Sequence, residues 1–347
     1  MAPEPAAHPG DLEAIAARIL GQAVKQAEPA PGGGNNRVYR ITAEDGPFAL
    51  KFYPSQDEDP RDRLGQEFAA LAFMAANGIG SVPKPIAHDP ALRCGIYEWI
   101  DGAPVADPGE DDLRAMVDLA ARLSDLGMAP GAGDLVAASA HCFSGAAAIR
   151  QLEERLQRLR EAGRGKDALN RFLDGNYCPL VQPLTNRAQE IYGQAGLHFD
   201  TDLLPEYRTL SPSDFGFHNA LRRDDGNNGS IIFLDFEYFG WDDPVKMISD
   251  AVWHPGSALN PALGSMFRKD AGKIFEVRDG NGFSARFDAL HPLFGMIWCL
   301  ILLNEFLPER WHRRVAAGNT ADAERAQTRQ LNAAKKLVQR ISEICDD

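Results

Sequence analysis

Three residues with carboxylate or amide side chains lie where they could bind a metal ion and accept a proton. Asp214 is followed five residues later by Asn219, which precedes the first of two short alternating segments, 220–222 and 230–236, and Asp235 lies near the end of the second. Those segments, and the turn rich in Asp, Asn and Gly between them, are typical of a β-hairpin. Because a hairpin brings its ends together, we expect Asn219 and Asp235 to lie side by side, with Asp214 on the adjoining loop.

Oxygen ligands of this kind suit the chemistry of phosphoryl transfer. Mg²⁺ is a hard cation that takes one or two carboxylates and keeps its other positions for water and phosphate oxygens. Phosphoryl transfer also needs a carboxylate that orients the attacking hydroxyl, and a lysine held by an acid. Lys51 ends an alternating segment that follows a glycine cluster, and Glu67 lies on the next predicted helix. These two residues are the candidates for the lysine and its acid.

The first hundred residues must position Lys51 and Glu67, and their periodicity predicts the elements that do so. A helix comes first, followed by a β-hairpin that turns at Asp45-Gly46, a second helix that stops at Asn77-Gly78, a Pro-rich loop and a further strand. The predicted bounds are 12–24 for the first helix, 60–76 for the second, 81–90 for the loop and 94–102 for the strand.

The rest of the chain is predicted to be mainly helical. Helices are expected over 111–127, 146–162 and 321–344, with a strand-rich segment at 209–239. The apolar run 293–303 is too short to span a bilayer and predicts a buried helix. A small α+β lobe followed by a larger helical lobe is therefore the expected architecture, and the fold class is α+β.

These candidate residues and predicted elements, in the order in which they follow along the chain, resemble the aminoglycoside phosphotransferase and choline kinase family of small-molecule kinases. The resemblance covers residues 30–255 and is most specific in its catalytic part, whereas the C-terminal helices are only loosely similar. The matching positions are Gly33-Gly34 before Asn36-Arg37-Val38-Tyr39, then Lys51, Glu67, Asp214 with Asn219, Asp235-Phe236-Glu237, Gly240-Trp241-Asp242-Asp243-Pro244, and Asp250.

The resemblance implies a bilobal protein-kinase-like fold. Its small antiparallel-sheet lobe would be the ATP-binding lobe, over 1–99, and its larger helical lobe would bind the substrate and carry the catalytic residues, over 100–347. ATP or GTP would lie between the lobes together with Mg²⁺. The residues expected to contact the nucleotide are Gly33, Gly34, Asn36, Lys51 and Glu67, with the adenine against the backbone of Glu98, Trp99 and Ile100.

The resemblance also implies a role for each residue of the predicted site. The γ-phosphate passes to a hydroxyl of a small molecule, and Asp214 receives the proton of that hydroxyl. Asn219 and Asp235 hold Mg²⁺, Lys51 positions the phosphates, and Glu67 orients Lys51. The sequence therefore predicts an ATP-dependent small-molecule kinase.

Three residues near this site receive other interpretations. Asp243 before Pro244 is best explained as the N-cap of the next helix, which leaves Asp242 as the candidate for contact with a cationic substrate. His218 is rejected as a metal ligand or general base, because no second His or Cys lies at ligand spacing from it.

One departure from the family keeps other functions open. The family has His-Gly directly before the catalytic Asp, whereas this chain has Pro212-Ser213. A nucleotide-binding pseudokinase with a regulatory role is one alternative. Independently of this departure, transfer of AMP instead of phosphate is a second alternative, which the same fold supports if the nucleotide binds reversed.

The charge of the chain narrows the class of partner. Lys and Arg number 36 against 49 Asp and Glu, which gives a formal net charge of −13. That sign repels phosphate backbones and anionic membrane surfaces, so neither nucleic acid nor a membrane is an expected partner. It favours a cationic acceptor, an amine or an aminoglycoside, over an anionic one, with a sugar-like molecule as second choice.

Cysteine usage and the N-terminus indicate a cytoplasmic protein. The five cysteines show no C-x-x-C spacing, so neither a disulfide framework nor a thiolate zinc site is expected. The first twenty residues have no basic segment and no unbroken apolar segment, which does not fit a signal peptide. A monomer or a homodimer is expected.

Overall fold

The computed structural model describes residues 9–30, 37–55, 59–223, 229–311 and 322–346. The chain divides into two compact units, each built from two separate segments of the chain. The first, called here the sheet unit, comprises Met1–Ser139 and Pro212–Gly240, and the second, the helical unit, comprises Ala140–Ser211 and Trp241–Asp347. The predicted division into an ATP-binding lobe and a substrate lobe at residue 99 is a functional one and stays a prediction.

The helices and strands are numbered in chain order. The strands are β1 (Val24–Pro29), β2 (Arg37–Ala43), β3 (Gly46–Phe52), β4 (Pro85–Asp89), β5 (Cys94–Glu98), β6 (Gly102–Pro104), β7 (Thr209–Ser211), β8 (Ala220–Arg223), β9 (Ile231–Phe233) and β10 (Gly240–Asp242). The α-helices are α1 (Pro9–Leu20), α2 (Arg63–Ala76), α3 (Glu110–Leu126), α4 (Gly145–Ala162), α5 (Asp167–Phe172), α6 (Cys178–Gln194), α7 (Pro244–Trp253), α8 (Pro261–Asp279), α9 (Asn281–Leu302) and α10 (Ala323–Asp346).

A five-stranded antiparallel sheet is the main element of the sheet unit. Its order is β1-β2-β3-β5-β4, so β3 lies at the centre between β2 and β5. Apolar residues of α1 pack against the sheet in one buried cluster with Ile41, Leu50 and Ile96. Because β3 is central, Lys51 is held by ladders on both sides, opposite Val38 on β2 and Gly95 on β5.

A smaller sheet in the same unit carries the predicted catalytic segment. Strands β6, β8 and β9 are antiparallel neighbours, with Ala220 opposite Phe233. Two arginines of β8 hold it to neighbouring elements, since Arg222 pairs with Asp112 at 2.7 Å and Arg223 with Glu98 at 2.7 Å. The hairpin predicted for this segment is therefore confirmed.

The helical unit is built around α9, which packs against α4, α6, α7, α8 and α10. The described stretch Asn281–Phe306 is long and apolar enough to cross a membrane by length and composition, but 72% of its most apolar window is buried inside the protein. Core helices of soluble proteins pass the same test, so this is weak evidence for a membrane span. The prediction that 293–303 is a buried helix is confirmed.

Several predicted bounds are wrong, each for a local reason. The predicted first helix ends at Leu20 and not at residue 24, because Gly21 has a φ of +69° and the chain then enters β1. The predicted loop 81–90 contains β4, whose proline is tolerated because β4 is an edge strand that pairs with β5. The second strand of the catalytic hairpin ends at Phe233, ahead of the left-handed Asp235.

Candidate active site

Lys51 lies at the centre of a buried group of charges in the sheet unit. Its side chain points from β3, and the residue is 7% exposed. The Nζ atom lies 2.6 Å from Oε2 of Glu67, 2.5 Å from Oδ1 of Asp235 and 3.7 Å from Oε2 of Glu237. The structure therefore brings together Lys51 and Glu67, which the sequence predicted as a pair, and adds two acidic partners.

Glu67 is fixed by α2 and by further hydrogen bonds. The helix starts after Asp62, whose side chain caps it by accepting a hydrogen bond from the Gly65 N–H. Besides Lys51, Glu67 accepts hydrogen bonds from the hydroxyl of Tyr53 at 2.7 Å and from the backbone N–H of Phe236 at 3.2 Å. Burial and the Glu67 carboxylate raise the pKa of Tyr53 well above its ordinary value, so Tyr53 stays a neutral donor.

The electrostatics of this group keep Lys51 charged. Burial alone lowers the pKa of Lys51, but the carboxylates of Asp235, Glu67 and Glu237 raise it well above its ordinary value. Burial raises the pKa of Glu67, and Lys51 opposes that shift. Oxygens of the three carboxylates lie within 4.8 Å of one another. Arg63 also pairs with Glu237, so three acids share two cations, and the remaining negative charge suits a further cation beside the partly exposed Asp235.

The hairpin of β8 and β9 places Asn219 beside the segment that carries Asp235. Asn219 directly precedes β8, and its carbonyl accepts a hydrogen bond from the Leu234 N–H at 2.7 Å. Asp235 is the next residue, with a φ of +64° and a side chain that is 34% exposed. This left-handed backbone turns Asp235 out of the strand direction. The expected placement of an amide and a carboxylate at the two hairpin ends is therefore observed.

The loop of Asp214 is held by its own residues. The side-chain amide of Asn219 donates to the Asp214 carbonyl at 3.0 Å, and Nε2 of His218 lies 2.9 Å from Oδ1 of Asp214. Ser213 has a φ of +64°, a conformation that glycine adopts without steric cost, and its hydroxyl donates to the Tyr238 carbonyl. Ser213 thus takes a glycine-like conformation at the position where the resembled family has Gly.

The donor set fits a magnesium ion. Asp235 offers a carboxylate. Asn219 offers its amide oxygen, because its amide nitrogen, Nδ2, donates to the Asp214 carbonyl. These are oxygen ligands of the type and number that Mg²⁺ takes from proteins alongside phosphate oxygens. Asp214, whose side chain is 28% exposed, remains accessible next to them.

The residues predicted to contact the rest of the nucleotide are only partly described. Gly33, Gly34 and Asn36 lie outside the described residues. Glu98 ends β5, and its carboxylate pairs with Arg223 and accepts a hydrogen bond from the Lys84 N–H.

The two residues after Glu98 continue the chain between β5 and β6. The Trp99 indole donates to Asp101 at 2.9 Å, and the Arg40 guanidinium lies over its ring. Ile100 is buried at the start of the connection to β6. Contact of these residues with adenine stays a prediction.

Asp242 and Asp243 lie in the helical unit. Asp242 is fully buried, accepts hydrogen bonds from the N–H groups of Cys142 and Asp243, and lies 3.4 Å from the ammonium of Lys246. This geometry gives no support to its predicted contact with an acceptor, which stays a prediction. The predicted N-cap role of Asp243 is confirmed, because its side chain accepts from the Val245 N–H at 2.8 Å.

Four residues that contribute to the site were missed or left without a role at the sequence level. Glu237 belongs to the D-F-E triplet but received no role of its own. Tyr53 and Arg63 were missed because their partners Glu67 and Glu237 are brought to them only by the fold, and Asp59 was missed although its partner Arg63 is only four residues away. His218 was rejected as a base or ligand, yet it contacts the carboxylate of Asp214.

Three features together define a kinase-like phosphotransferase. They are an antiparallel sheet with a buried lysine–glutamate pair, a D-x-x-x-x-N loop, and the D-F-E triplet that follows this loop. A family model described as the phosphotransferase enzyme family matches residues 26–279. The chain therefore belongs to that family. No curated protein sequence matches it.

Solved structures agree with this fold. A spectinomycin phosphotransferase, crystallised with ADP and spectinomycin, is 11% identical, covers 98% of this chain and 99% of its own, and has a TM-score of 0.63. An ethanolamine kinase from Plasmodium vivax is 12% identical, with coverages of 89% and 82% and a TM-score of 0.53. A choline kinase from Streptococcus pneumoniae is 14% identical, with coverages of 91% and 94% and a TM-score of 0.53. At these identities the likeness shows the fold alone.

Proposed function

We propose that this protein transfers the γ-phosphate of ATP, or of GTP, to a hydroxyl group of a small molecule. The observation that carries the proposal is the ion pair of Lys51 with both Glu67 and Asp235, at 2.6 and 2.5 Å, inside the sheet unit. A lysine held by a helix acid and directed at a metal-binding acid is the arrangement that phosphoryl transfer requires.

Lys51 and the residues around it would have different roles in binding the nucleotide and its metal ion. The Lys51 ammonium would bind phosphate oxygens, and Glu67 would keep it directed at them. Asp235 and Asn219 would hold Mg²⁺, which when bound neutralises charge on the phosphate oxygens. Because Lys51 stays charged and its partners Glu67 and Glu237 are buried, little reorganisation is needed when the nucleotide arrives.

Asp214 would act on the acceptor. Its carboxylate is partly exposed, and its position is fixed through its carbonyl by Asn219 and through Oδ1 by His218. A carboxylate in this state can accept a hydrogen bond from the attacking hydroxyl, orient it and take its proton. Since Asn219 contacts both the Asp214 loop and the β9 end, it links the base to the metal position.

The acceptor class follows from charge and from the family. A net charge of −13 favours a cationic acceptor such as an amine or an aminoglycoside, with a sugar-like molecule as second choice. The similar structures are named for spectinomycin, ethanolamine and choline, and each of these has a hydroxyl as well as a cationic or amine-bearing group. The expectations of a cytoplasmic monomer or homodimer without nucleic-acid or membrane partners stay predictions.

The test is thermal stability with ATP or GTP, with and without Mg²⁺, for the wild type and for Asp235→Ala. A ligand that binds the folded protein raises its melting temperature by mass action. We expect a magnesium-dependent rise in the wild type that Asp235→Ala loses. Asp270→Ala, an exposed aspartate of α8, is the matched control and should behave as wild type. No rise at saturating nucleotide would contradict the proposal.

Product analysis separates the two alternatives. Nucleotide binding without turnover by any amine, aminoglycoside or sugar would indicate a pseudokinase. A product heavier by an adenylate, and not by the much lighter phosphate, would indicate AMP transfer. Replacement of the family's His-Gly by Pro212-Ser213 put the backbone geometry of this loop in question. Ser213 adopts the conformation of the missing glycine, so this replacement favours neither alternative.

A further inference from the structure

Arg63 lies buried between two acids at the start of α2. The residue is 5% exposed, and its partners Asp59 and Glu237 are 3% and 1% exposed. The Nε atom donates to Oδ2 of Asp59 at 2.8 Å, and Nη1 donates to Oε1 of Glu237 at 2.6 Å. A guanidinium can serve two carboxylates at once because its donors form a rigid planar fork.

Glu237 connects this arginine to the proposed nucleotide site. It follows Asp235 by two residues, and its second oxygen, Oε2, lies 3.7 Å from the ammonium of Lys51. A continuous buried series of charges thus runs from Asp59 through Arg63 and Glu237 to Lys51, and Asp235 lies at its partly exposed end.

The same face of α2 makes two further contacts with the segment after Asp235. The Gln66 side-chain amide donates to the Phe239 carbonyl at 2.5 Å, and Glu67 accepts from the Phe236 N–H at 3.2 Å. Arg63, Gln66 and Glu67 are spaced three and four residues apart, so they lie on one side of the helix. This face of α2 therefore contacts residues 236, 237 and 239 directly after the proposed metal ligand.

We propose that Arg63 is a positioning residue of the metal site, which acts by holding Glu237 and thereby the backbone of Asp235. Asp235 needs such support, since a non-glycine residue at φ +64° persists only where its surroundings impose that conformation. The pair also joins α2, and with it Glu67, to the metal-binding segment before any nucleotide arrives. The inference rests on the proposed function, because it assigns the metal position to Asp235.

A structural role alone is a weak explanation for this pair. Replacing a buried ion pair by apolar residues is often neutral for stability, so burial of Arg63 and Glu237 does not by itself indicate a contribution to folding. A residue that contacts and orients a metal ligand has a different effect when it is replaced, since its loss lowers the affinity for the metal about 10- to 100-fold. The dependence on Mg²⁺ therefore distinguishes the two roles.

The experiment titrates Mg²⁺ at saturating ATP and follows the melting temperature of the full chain. The variants are Arg63→Met, Glu237→Gln and the double variant, which removes both charges and leaves no buried Glu237 charge unpaired. The matched control is Arg61→Met, because Arg61 also donates to Asp59 and lies over Tyr238, as Arg63 does, but is 44% exposed. The shift caused by ATP without Mg²⁺ is measured in parallel.

We expect the Mg²⁺ concentration at half-maximal stabilisation to rise about tenfold in the Arg63 and Glu237 variants, and the ATP shift without Mg²⁺ to stay unchanged in Arg63→Met, which keeps every partner of Lys51. The double variant should show the same rise, about tenfold, as either single variant, because the two residues act as one pair. Arg61→Met should titrate as wild type.

Two results would overturn the inference, and they differ. If the wild type shows a magnesium-dependent shift and the double variant titrates like it, Arg63 does not position the metal site, while the proposed function stands. If the wild type shows no such shift, the proposed function fails and the inference fails with it. The double variant decides the first case even where Arg63→Met does not fold.

Discussion

The imidazole of His218 lies against the carboxylate of Asp214, with Nε2 2.9 Å from Oδ1. The two residues are four apart in the chain, and the short turn Phe217–Asn219 folds the imidazole back over the loop. A hydrogen bond from an imidazole N–H fixes one oxygen of the carboxylate and leaves the other directed away from His218. We therefore expect His218 to act as a positioning residue for the proposed base.

Replacing His218 tests this contact. We expect His218→Ala to lower kcat about tenfold, because a catalytic group that is misplaced by a fraction of an ångström reacts more slowly, while the KM for ATP stays unchanged. His218→Gln, which keeps an N–H donor, should recover most of the rate. The measurement is ATP consumption with the best acceptor, or with water as acceptor. Equal losses in the two variants would show that the hydrogen bond has no role.

Asp214 itself should be indispensable for turnover and dispensable for nucleotide binding. Asp214→Asn keeps the shape and the backbone hydrogen bonds of the loop but cannot accept a proton, so we expect turnover to fall by about 10²- to 10⁴-fold. The magnesium–ATP shift in melting temperature should remain, because Asp235 and Lys51 are intact. Turnover that survives in this variant would remove Asp214 as the base.

Lys51 and Glu67 should act as one unit. Their side chains are in direct contact at 2.6 Å, and in the proposed function Glu67 acts by orienting Lys51. We therefore expect the losses in kcat/KM for Lys51→Ala and Glu67→Ala to be non-additive, with the double variant close to the worse single variant. A double-mutant cycle on kcat/KM measures this. Strictly additive losses would mean that the two residues act independently.

The local parts of this site are those that the sequence predicts well. The hairpin that carries Asn219 and Asp235, and the strand and helix that carry Lys51 and Glu67, follow from alternation, turn residues and order along the chain. Arg63 and Glu237 are 174 residues apart, and their pairing depends on how α2 packs against the acidic segment. No short-range pattern records such packing, so the pair appears only in the structure.

The same limit applies to burial. Asp242 became the candidate for contact with a substrate because Asp243 was assigned to the helix cap, but Asp242 is fully buried and accepts a hydrogen bond from Cys142, 100 residues earlier. Asp243 was correctly predicted as a cap, since capping depends on the residues next to it. Local chemistry is thus readable from the sequence, whereas exposure is set by distant chain segments.

The buried carboxyl of Asp242 predicts a pH dependence of stability. Burial raises the pKa of Asp242 to about 7, although Lys246 and backbone N–H groups favour its charged form. In the unfolded chain an aspartate has a pKa of about 4, so the folded state binds the proton more tightly. The stabilising contribution is present below about pH 4 and is lost as the pH rises through 7.

Asp242→Asn should remove this dependence, because an amide does not titrate. We expect the free energy of unfolding of the variant, relative to wild type, to increase between pH 4 and pH 7. Urea denaturation at several pH values measures it, with Asp270→Asn in the same unit as the control. A difference between variant and wild type that does not change with pH would contradict the raised pKa.

Two N-caps in the helical unit should differ in their contribution to stability. Asp243 caps α7 and also pairs with the buried Arg286, whose Nε lies 3.0 Å from Oδ2 of Asp243. Asn260 caps α8 by accepting a hydrogen bond from the Leu263 N–H at 3.0 Å. Asn260→Ala should therefore lower the free energy of unfolding by about 1 kcal/mol, the usual value of a cap.

Asp243→Ala should cost more, about 3 kcal/mol, because it removes a cap and also takes from Arg286 one of its two acidic partners. Denaturant unfolding of both variants measures the difference. Adding Arg286→Met to each separates the two contributions: it should recover part of the loss in Asp243→Ala, where the guanidinium is left underpaired, and none of it in Asn260→Ala. Equal costs for the two caps would mean that the Arg286 pair adds nothing to the stability of this unit.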